Sequence, residues 1–281
     1  MTKKLYQFIK NIFNPGWNSS RSKTSLNILT TFSTFKPHGN QSYKSFVPLV
    51  IKNINELLPK LSKLSQFEKQ VDVESFTKFF EKNEKSNSKQ IINLLGNKFN
   101  DYGSDKEMNQ YHFIYSCLLN NLDEEYEILE IGLGTNNPEI ISSMGKNGKP
   151  GASLRAFRDV YSKSSIFGAD YDRKILFSEE RIKTVHIDQN EPKTFENIKK
   201  ITVNKFDLII DDGLHYQLSN INTLLFSLDN LKLNGYLVIE DIGVWTLDTW
   251  KIIINLIPEK FTAQIIQMSQ TNFIFLLRRA V

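Results

Sequence analysis

Acidic residues close two short apolar runs in the second half of the chain, and a histidine follows the first of them. Asp211 and Asp212 end one run, Glu240 and Asp241 end the other, and His215 lies about one helical turn beyond the first pair. Runs rich in Ile, Leu and Val are typical of buried parallel strands, and open α/β sheets bind ligands at the carboxyl ends of their strands. Because carboxylates that share a small space need a cation or a proton, this pattern predicts a hard divalent metal beside a histidine.

A simpler interpretation exists for each acidic pair taken alone. Asp211 or Asp212 could cap the following turn, Glu240 and Asp241 could be solvated loop residues, and His215 could be a hydrogen-bonded neighbour of the site. Two pairs at the ends of adjacent strands favour the metal, since clustered carboxylates need a counter-charge.

Short apolar runs alternate with helical stretches from Tyr126 onward, which predicts βαβ units and a parallel sheet. After the first strand, the predicted strands are Ser165–Asp170, Ile182–Asp188, Phe206–Asp211 and Gly235–Glu240. The predicted helices are Ser153–Tyr161, Arg173–Glu180, Lys193–Ile201, Gln217–Leu231 and Leu247–Ile257. Two further β-type runs, Thr262–Met268 and Phe273–Arg279, are joined by a link too short for a helix, which predicts a closing antiparallel hairpin. The fold class is therefore α/β, with a mostly parallel, Rossmann-like sheet.

The N-terminal third of the chain is predicted to be an extension of this sheet domain. Residues 1–45 are polar and predict an arm or irregular lid, whose basic start predicts a short amphipathic helix and leaves surface membrane attachment open. Helical periodicity over residues 46–97 predicts a small cap, with its second helix at Val73–Lys82 and its third at Lys89–Asn97. We therefore expect an arm and cap over residues 1–100 and a catalytic domain over residues 101–281, in which a helix spans Met108–Asn120.

Composition narrows the class of protein. The chain has 281 residues, of which 40% are hydrophobic and 23% charged, as in globular proteins. The net charge of +4 is too mild to predict nucleic-acid binding. Cys117 is the only cysteine, so an internal disulfide and a cysteine-built zinc site are excluded, and a cytoplasmic location is expected. No apolar run approaches the roughly 20 residues of a transmembrane span.

A glycine turn follows the first predicted strand and could hold a cofactor. Glycines at Gly132 and Gly134 let the backbone approach a ligand, and Glu130 can reach a hydroxyl or amine group. Asn137 occupies the third glycine position of the dinucleotide fingerprint, so the match to an NAD site is incomplete. An NAD-dependent enzyme stays open as an alternative.

The next two strands end in side chains that suit a nucleoside. Asp170 can hold both hydroxyls of a ribose, and Asp188 with Gln189 can flank an adenine. The Gly-, Asn- and Ser-rich loop over residues 136–151 is expected to cover the cofactor.

Glutamate at the first strand, aspartate at the second and the terminal hairpin together resemble the class I S-adenosylmethionine-dependent methyltransferases over residues 101–281. A narrower set of motifs, Gly103–Lys106, Gly151–Asp159, Ile210–His215 and Val238–Asp241, resembles the metal-dependent sugar O-methyltransferases of macrolide tailoring, the mycinamicin type. That resemblance implies S-adenosylmethionine as methyl donor, Mg²⁺ held by Asp212, Glu240 and Asp241, and His215 as general base. We also assign Ser104, Lys106 and Asp211 to the cofactor-binding set, and Asp212 with His215 to the catalytic set. Leu214 and Glu107 differ from the residues that the family usually has at these positions. These differences affect what the resemblance implies for the acceptor pocket.

The chemistry of these groups suits methyl transfer to an alcohol. A sugar hydroxyl is a poor nucleophile, Mg²⁺ would lower its pKa, and histidine can accept its proton near neutral pH. The predicted acceptor is a sugar, a nucleotide sugar or a glycan, in capsule or surface-glycan synthesis or in natural-product glycoside synthesis. A phosphate, phosphoramidate or other non-sugar acceptor, and a non-catalytic cofactor-binding protein, remain alternatives, and a homo-oligomer is left open. Trp245 is a candidate to stack on a sugar ring.

Overall fold

The computed structural model describes residues 56–67 and 69–281. The chain divides into two compact units, Met1–Phe67 and Glu68–Val281. In the first unit, residues 56–67 are helical. The predicted arm over residues 1–45, its basic helix and the start of the predicted cap lie outside the described residues.

The second unit is built on one sheet, for which residues 69–281 supply nine strands in the order β1-β8-β9-β7-β6-β2-β3-β5-β4. The run from β7 to β5 is parallel, whereas β9 is antiparallel to both of its neighbours and β4 is antiparallel to β5. The predicted Rossmann-like sheet with a closing antiparallel hairpin is thereby confirmed. The strands are β1 (Val73–Ser75), β2 (Glu127–Ile131), β3 (Ser165–Asp170), β4 (Ser178–Glu179), β5 (Ile182–His186), β6 (Phe206–Asp211), β7 (Leu231–Gly243), β8 (Phe261–Gln267) and β9 (Asn272–Arg279).

Helices cover both faces of this sheet, which explains why its strands bury apolar side chains on both faces. Successive strand side chains point to opposite faces, so Ile128 joins one apolar layer and Leu129 the other. The first layer also holds side chains from the first four helices, and the second holds side chains from the last two. The helices are α1 (Phe76–Asn83), α2 (Ser88–Tyr102), α3 (Tyr111–Leu118), α4 (Ala152–Val160), α5 (Gln217–Asn230) and α6 (Leu247–Leu256).

The region expected to be a separate cap belongs in part to the sheet unit. Val73–Ser75 is a strand that pairs with β8, and Ser75 then accepts a hydrogen bond from the Lys78 amide and caps α1. Phe79 of α1 and Leu95 of α2 are buried in the same apolar layer as α3 and α4. The division between the units therefore lies after Phe67, whereas the sequence suggested residue 100.

Two predicted helices differ from the structure. The helix predicted over Arg173–Glu180 is wrong, because this segment forms a short 3₁₀ turn at Arg173–Ile175 and then the edge strand β4. The 3₁₀ turn begins after Asp172, whose side chain caps it by accepting a hydrogen bond from the Lys174 amide at 2.9 Å. Pro192–Lys200 is a 3₁₀ helix where an ordinary helix was expected. Among the described residues, no helix has both the length and the apolar character needed to span a membrane.

Candidate active site

The carboxyl ends of β2, β3, β5, β6 and β7 surround one cavity of about 430 Å³. Nearly all of the predicted site residues line it, as expected for the ligand-binding edge of an open α/β sheet. The predicted residues that line it are Ser104, Lys106, Glu130, Gly132, Gly134, Asp170, Asp188, Gln189, Asp212, His215 and Asp241.

The glycine turn after β2 brings two loops into close contact. Gly132 has a φ of 95°, and a Cβ there would lie 2.0 Å from the carbonyl oxygen of Asp212. Gly134 has a φ of 77°, and its Cβ would lie 2.1 Å from the sulfur of Met144. Because only glycine fits such positions without strain, Gly132 lets the β2 turn pack directly against the loop that carries Asp212, and Gly134 lets it pack against Met144.

Two carboxylates at the cavity wall are held by donors from the protein. Asp170 accepts hydrogen bonds from the backbone amides of Leu133 and Asp172, at 2.6 and 2.7 Å, and burial raises the pKa of its carboxyl. Glu130 accepts from the Ser153 hydroxyl at 2.5 Å, and burial likewise raises its pKa. Asp170 thus fixes the glycine turn through Leu133, and Glu130 is joined to α4 through Ser153. Carboxylate oxygens can accept further hydrogen bonds, so both residues keep acceptor capacity towards the cavity.

Asp212, His215 and Asp241 each present a ligand atom, and these atoms lie within 4.8 Å of one another. The Nε2 atom of His215 is 3.6 Å from Oδ1 of Asp212 and 3.9 Å from Oδ2 of Asp241. The other oxygen of each aspartate is held from outside the cluster. Lys106 binds Oδ2 of Asp212 at 2.7 Å, and Asn272 donates to Oδ1 of Asp241 at 2.8 Å. Each carboxylate therefore has one oxygen fixed by the protein and one directed towards His215.

The backbone at this cluster is unusual. His215 and Asp241 have φ values of 52° and 54°, in the left-handed region that residues with a side chain rarely adopt. The pairing between β7 and β9 also shifts register between Ile239 and Ile242, so the ladder is interrupted at the acidic pair. Irregularities of this kind concentrate at functional sites, where they aim side chains that a regular strand would direct elsewhere.

Glu240 is arranged differently from the predicted metal ligand. Its side chain is fully buried, with Oε2 at 2.5 Å from the Lys106 ammonium and Oε1 accepting from the Tyr115 hydroxyl. Burial, together with the charges of Asp212 and Asp241, raises the pKa of its carboxyl well above the ordinary value. Both oxygens are engaged by protein donors, so Glu240 lies outside the cluster that Asp212, His215 and Asp241 form.

Lys106 is the cation at the centre of this acidic region. Its ammonium is 2.7 Å from Asp212, 2.5 Å from Glu240 and 3.2 Å from Glu130, and its side chain is 1% exposed. Burial lowers the pKa of this ammonium, but the three carboxylates outweigh burial and raise it well above its ordinary value. The lysine assigned to the cofactor set thus balances carboxylates from three different strands.

Asp211 does not face the cavity, contrary to its assignment to the cofactor-binding set. Its buried carboxylate accepts from the side-chain amides of Gln189, at 2.8 Å, and Asn220, at 3.1 Å. As alternate residues of a strand face opposite ways, Asp211 faces α5 while its neighbour Asp212 reaches the cavity. Asp211 therefore positions Gln189, which does line the cavity.

Three residues of the site were missed or underrated in the sequence. Tyr111 donates to Asp241 at 2.5 Å and Tyr115 donates to Glu240, although α3 carries no motif beyond its helical pattern. Asn272 lies 31 positions after Asp241, and only the pairing of β9 with β7 brings it to the site. Trp245, which the sequence offered as a candidate to stack on a sugar ring, follows β7 and is 82% exposed.

The comparisons with known proteins agree with the motifs. No family model matches the chain. Demethylmacrocin O-methyltransferase of Streptomyces fradiae is 33% identical over 126 residues, which are 44% of this chain and 29% of that protein. Mycinamicin VI 2''-O-methyltransferase of Micromonospora griseorubida is 31% identical over 126 residues, 44% of this chain and 28% of that protein. The chain resembles macrolide sugar O-methyltransferases.

This resemblance covers part of each protein. The chain spans less than a third of the length of the two curated relatives. Among solved structures, the MycE methyltransferase of the mycinamycin biosynthetic pathway, in complex with Mg, SAH and mycinamycin VI, is 25% identical with a TM-score of 0.44. That match covers 54% of this chain and 37% of MycE.

Proposed function

We propose that this chain transfers a methyl group from S-adenosylmethionine to a hydroxyl of a sugar, with Mg²⁺ at Asp212 and Asp241 and with His215 as the base. The observation that carries the proposal is the convergence of Asp212, His215 and Asp241 within 4.8 Å at the wall of the cavity beneath the β2 glycine turn. The relatives that are named as glycoside O-methyltransferases support the same reaction class.

The charge of the cavity wall supports a cationic methyl donor over a dinucleotide. Among the described lining residues, carboxylates far outnumber ammonium groups, of which Lys106 and Lys149 are present. An acidic wall favours a sulfonium and disfavours the pyrophosphate of NAD at the cofactor position. The lining carboxylates are Asp105, Glu130, Glu139, Asp170, Asp188, Asp212 and Asp241.

The donor set fits a hard divalent cation. Oδ1 of Asp212 and Oδ2 of Asp241 are the oxygens directed towards His215, and aspartate oxygens are the ligands that Mg²⁺ prefers in proteins. When bound, the metal would lower the pKa of an acceptor hydroxyl and orient it. In the proposal, His215 accepts the hydroxyl proton at Nε2, while the residues of the glycine turn hold the donor so that its methyl faces the acceptor oxygen.

We also propose a setting for this reaction. The acceptor sugar would be part of a nucleotide sugar, a surface glycan or a natural-product glycoside, and the reaction would take place in the cytoplasm, where S-adenosylmethionine is made. A neutral diol on the acceptor suits a metal that keeps coordination positions for substrate oxygens.

The test has a binding step and a turnover step. S-adenosylhomocysteine is titrated calorimetrically with and without Mg²⁺, and the protein is then incubated with S-adenosylmethionine, Mg²⁺ and a panel of nucleotide sugars and glycosides, with methylation read by mass spectrometry. We expect binding, and a methylated product that disappears when a chelator removes the metal.

Matched variants locate the reaction at the proposed site. Asp212→Asn should abolish turnover and keep S-adenosylhomocysteine binding. Asp229→Asn, on the exposed side of α5, should leave both turnover and S-adenosylhomocysteine binding unchanged. Absence of S-adenosylhomocysteine binding under both metal conditions would refute the proposed function.

A further inference from the structure

The acidic cavity wall contains one ammonium group that is not engaged by the protein. Among the described residues that line the cavity, the lysine and arginine side chains are those of Lys106 and Lys149. The Lys106 ammonium is buried against Glu130, Asp212 and Glu240, so its charge is already balanced. Lys149 is exposed, and its ammonium makes no hydrogen bond or ion pair with the described residues. Its charge is therefore available to a ligand.

Lys149 is held at a defined place in the cavity wall by its backbone and by the stem of its side chain. Its carbonyl accepts a hydrogen bond from the Ala152 amide at 3.0 Å, at the start of α4. Its Cγ atom packs against Gly103, where a Cβ would lie 3.2 Å away. Gly103 ends α2 and precedes Ser104, which also lines the cavity. Lys149 thus lies where the loop over residues 136–151 meets the α2–α3 connection.

The order of the strands separates the two ends of the proposed methyl donor. Asp170 at the end of β3 and Asp188 after β5 are assigned to the nucleoside, and both strands lie on the same side of β2. The amino acid is the opposite end of S-adenosylmethionine, so it would lie away from β3 and β5. That part of the wall holds Glu130, Ser153 at the start of α4, and Lys149.

The two charges of an amino acid have different requirements in this wall. Oε1 of the buried Glu130 lies 3.2 Å from Lys106 but accepts no hydrogen bond from the described residues, so it can accept one from a ligand ammonium. A ligand carboxylate is repelled by the acidic wall and needs a positively charged donor. Lys149 offers three such donors. Among the described residues no side chain caps the N-terminus of α4, whose positive end would add to this attraction.

We propose that Lys149 recognises the carboxylate at the amino-acid end of S-adenosylmethionine. The inference rests on the proposed function, because it assigns a further binding residue to the methyl donor assumed there. The two lysines of the cavity would then have separate roles, since Lys106 balances the acidic wall and Lys149 binds the ligand. The loop expected to cover the cofactor would also supply a specific contact to it.

The experiment compares two ligands that differ in this carboxylate alone. S-adenosylhomocysteine and decarboxylated S-adenosylhomocysteine, which keeps the amine, are titrated calorimetrically into the wild type and Lys149→Met at low ionic strength, because salt screens exposed charges. Lys149→Met should weaken S-adenosylhomocysteine binding about tenfold and should not weaken binding of the decarboxylated ligand. The ratio of the two affinities isolates the contact, as in a double-mutant cycle.

Two further variants distinguish a specific contact from a general effect of charge. Lys149→Arg keeps a cation at this position and should restore the affinity ratio to within a few-fold of the wild type. Lys146→Met removes another exposed lysine of the same loop, one that does not line the cavity, and should leave both affinities unchanged. An affinity ratio that is the same within twofold in Lys149→Met and the wild type would overturn the proposal, as would an equal change in Lys146→Met.

The wild-type measurements separate this inference from the proposed function. If the wild type binds S-adenosylhomocysteine and Lys149→Met keeps the same affinity ratio, the inference fails and the proposed function stands. If the ratio changes as expected but no sugar is methylated, the inference stands and the sugar acceptor is wrong. If the wild type does not bind S-adenosylhomocysteine, both fail.

Discussion

His215 occupies the position that a base needs in the proposed reaction. Its Nε2 atom lies between the free oxygens of Asp212 and Asp241, so a hydroxyl held at those oxygens would also be within reach of the imidazole. The left-handed backbone at His215 redirects the chain after β6, whereas a regular continuation of the strand would point each side chain to one face of the sheet. In the proposed reaction, the imidazole that takes the proton is therefore next to the carboxylate oxygens that would hold the sugar hydroxyl.

We expect His215→Ala to lower the rate of methyl transfer about 10²–10⁴-fold, the usual contribution of a positioned general base. Binding of S-adenosylhomocysteine should stay close to that of the wild type, because Glu130, Gly132 and Asp170 are unchanged. Single-turnover kinetics on a sugar acceptor, with calorimetry for the cofactor, measure both quantities. A loss of only a few-fold would instead assign His215 to positioning.

Single residues also mark the limit of what the sequence predicts at the site. The paired acids and His215 are adjacent in the chain to strand ends, so a sheet edge predicts their convergence. The separate roles of Glu240 and Asp241 depend on an interrupted ladder, which no local pattern encodes. The partners of these acids, Lys106 and Asn272, are distant in sequence and become neighbours only through the fold.

At the level of elements, α4 is tied to the edge of the sheet by two arginines on one face. Arg155 donates to Glu179 of β4 at 2.7 Å through Nη2, and Arg158 donates to the other oxygen of Glu179 at 2.8 Å. Arg155 and Arg158 both fall within the helix predicted over Ser153–Tyr161, but the sequence also predicted a helix where β4 lies. A two-residue edge strand has too few residues for a recognisable alternation, so its acidic partner could not be predicted.

This connection should make part of the stability depend on pH. Hydrogen bonds from Arg155, with the charge of Arg158, lower the pKa of Glu179. A carboxyl with a lowered folded-state pKa stabilises fully above its unfolded value, about 4.3, and loses that contribution as the pH falls through the folded value. Glu179→Gln should therefore lower the melting temperature at about pH 7 and have little effect at about pH 3. The free energy of unfolding lost at about pH 7 should not exceed about 1 kcal/mol, because the ion pair is partly exposed.

Thermal unfolding followed by circular dichroism at the two pH values tests this expectation. Glu180→Gln is the control, since Glu180 is the exposed neighbour of Glu179. Equal destabilisation by Glu179→Gln at both pH values would show that the side chain acts through packing and not through charge.

For the whole molecule, the two apolar layers define what must be present for the sheet to fold. The strands of the parallel core were predictable because each is a short run rich in apolar residues between helical stretches, and the terminal hairpin because its link is short. The place where the unit begins was not predictable, because α1 and α2 have the amphipathic pattern of any helix. Only their packing on the sheet reveals that Phe79, Ile91, Leu95 and Phe99 belong to its core.

A pair of fragments tests this division. We expect a fragment over residues 68–281 to unfold cooperatively, because both apolar layers are contained in it. A fragment over residues 101–281, which begins at the boundary suggested by the sequence, should be unfolded or aggregated, since it lacks the buried side chains of α1 and α2. Circular dichroism melts and size-exclusion chromatography distinguish the two, and a stable, cooperative shorter fragment would contradict the expectation.

The left-handed backbone at His215 bears on how this protein would respond to laboratory evolution. His215 keeps this backbone at a cost of about 1 kcal/mol or more relative to glycine, so His215→Gly offers heat resistance at the position where the base is proposed. A library scored for thermal survival alone should therefore enrich His215→Gly while turnover falls. A library scored for turnover at raised temperature should retain the histidine and accumulate its gains in the two apolar layers.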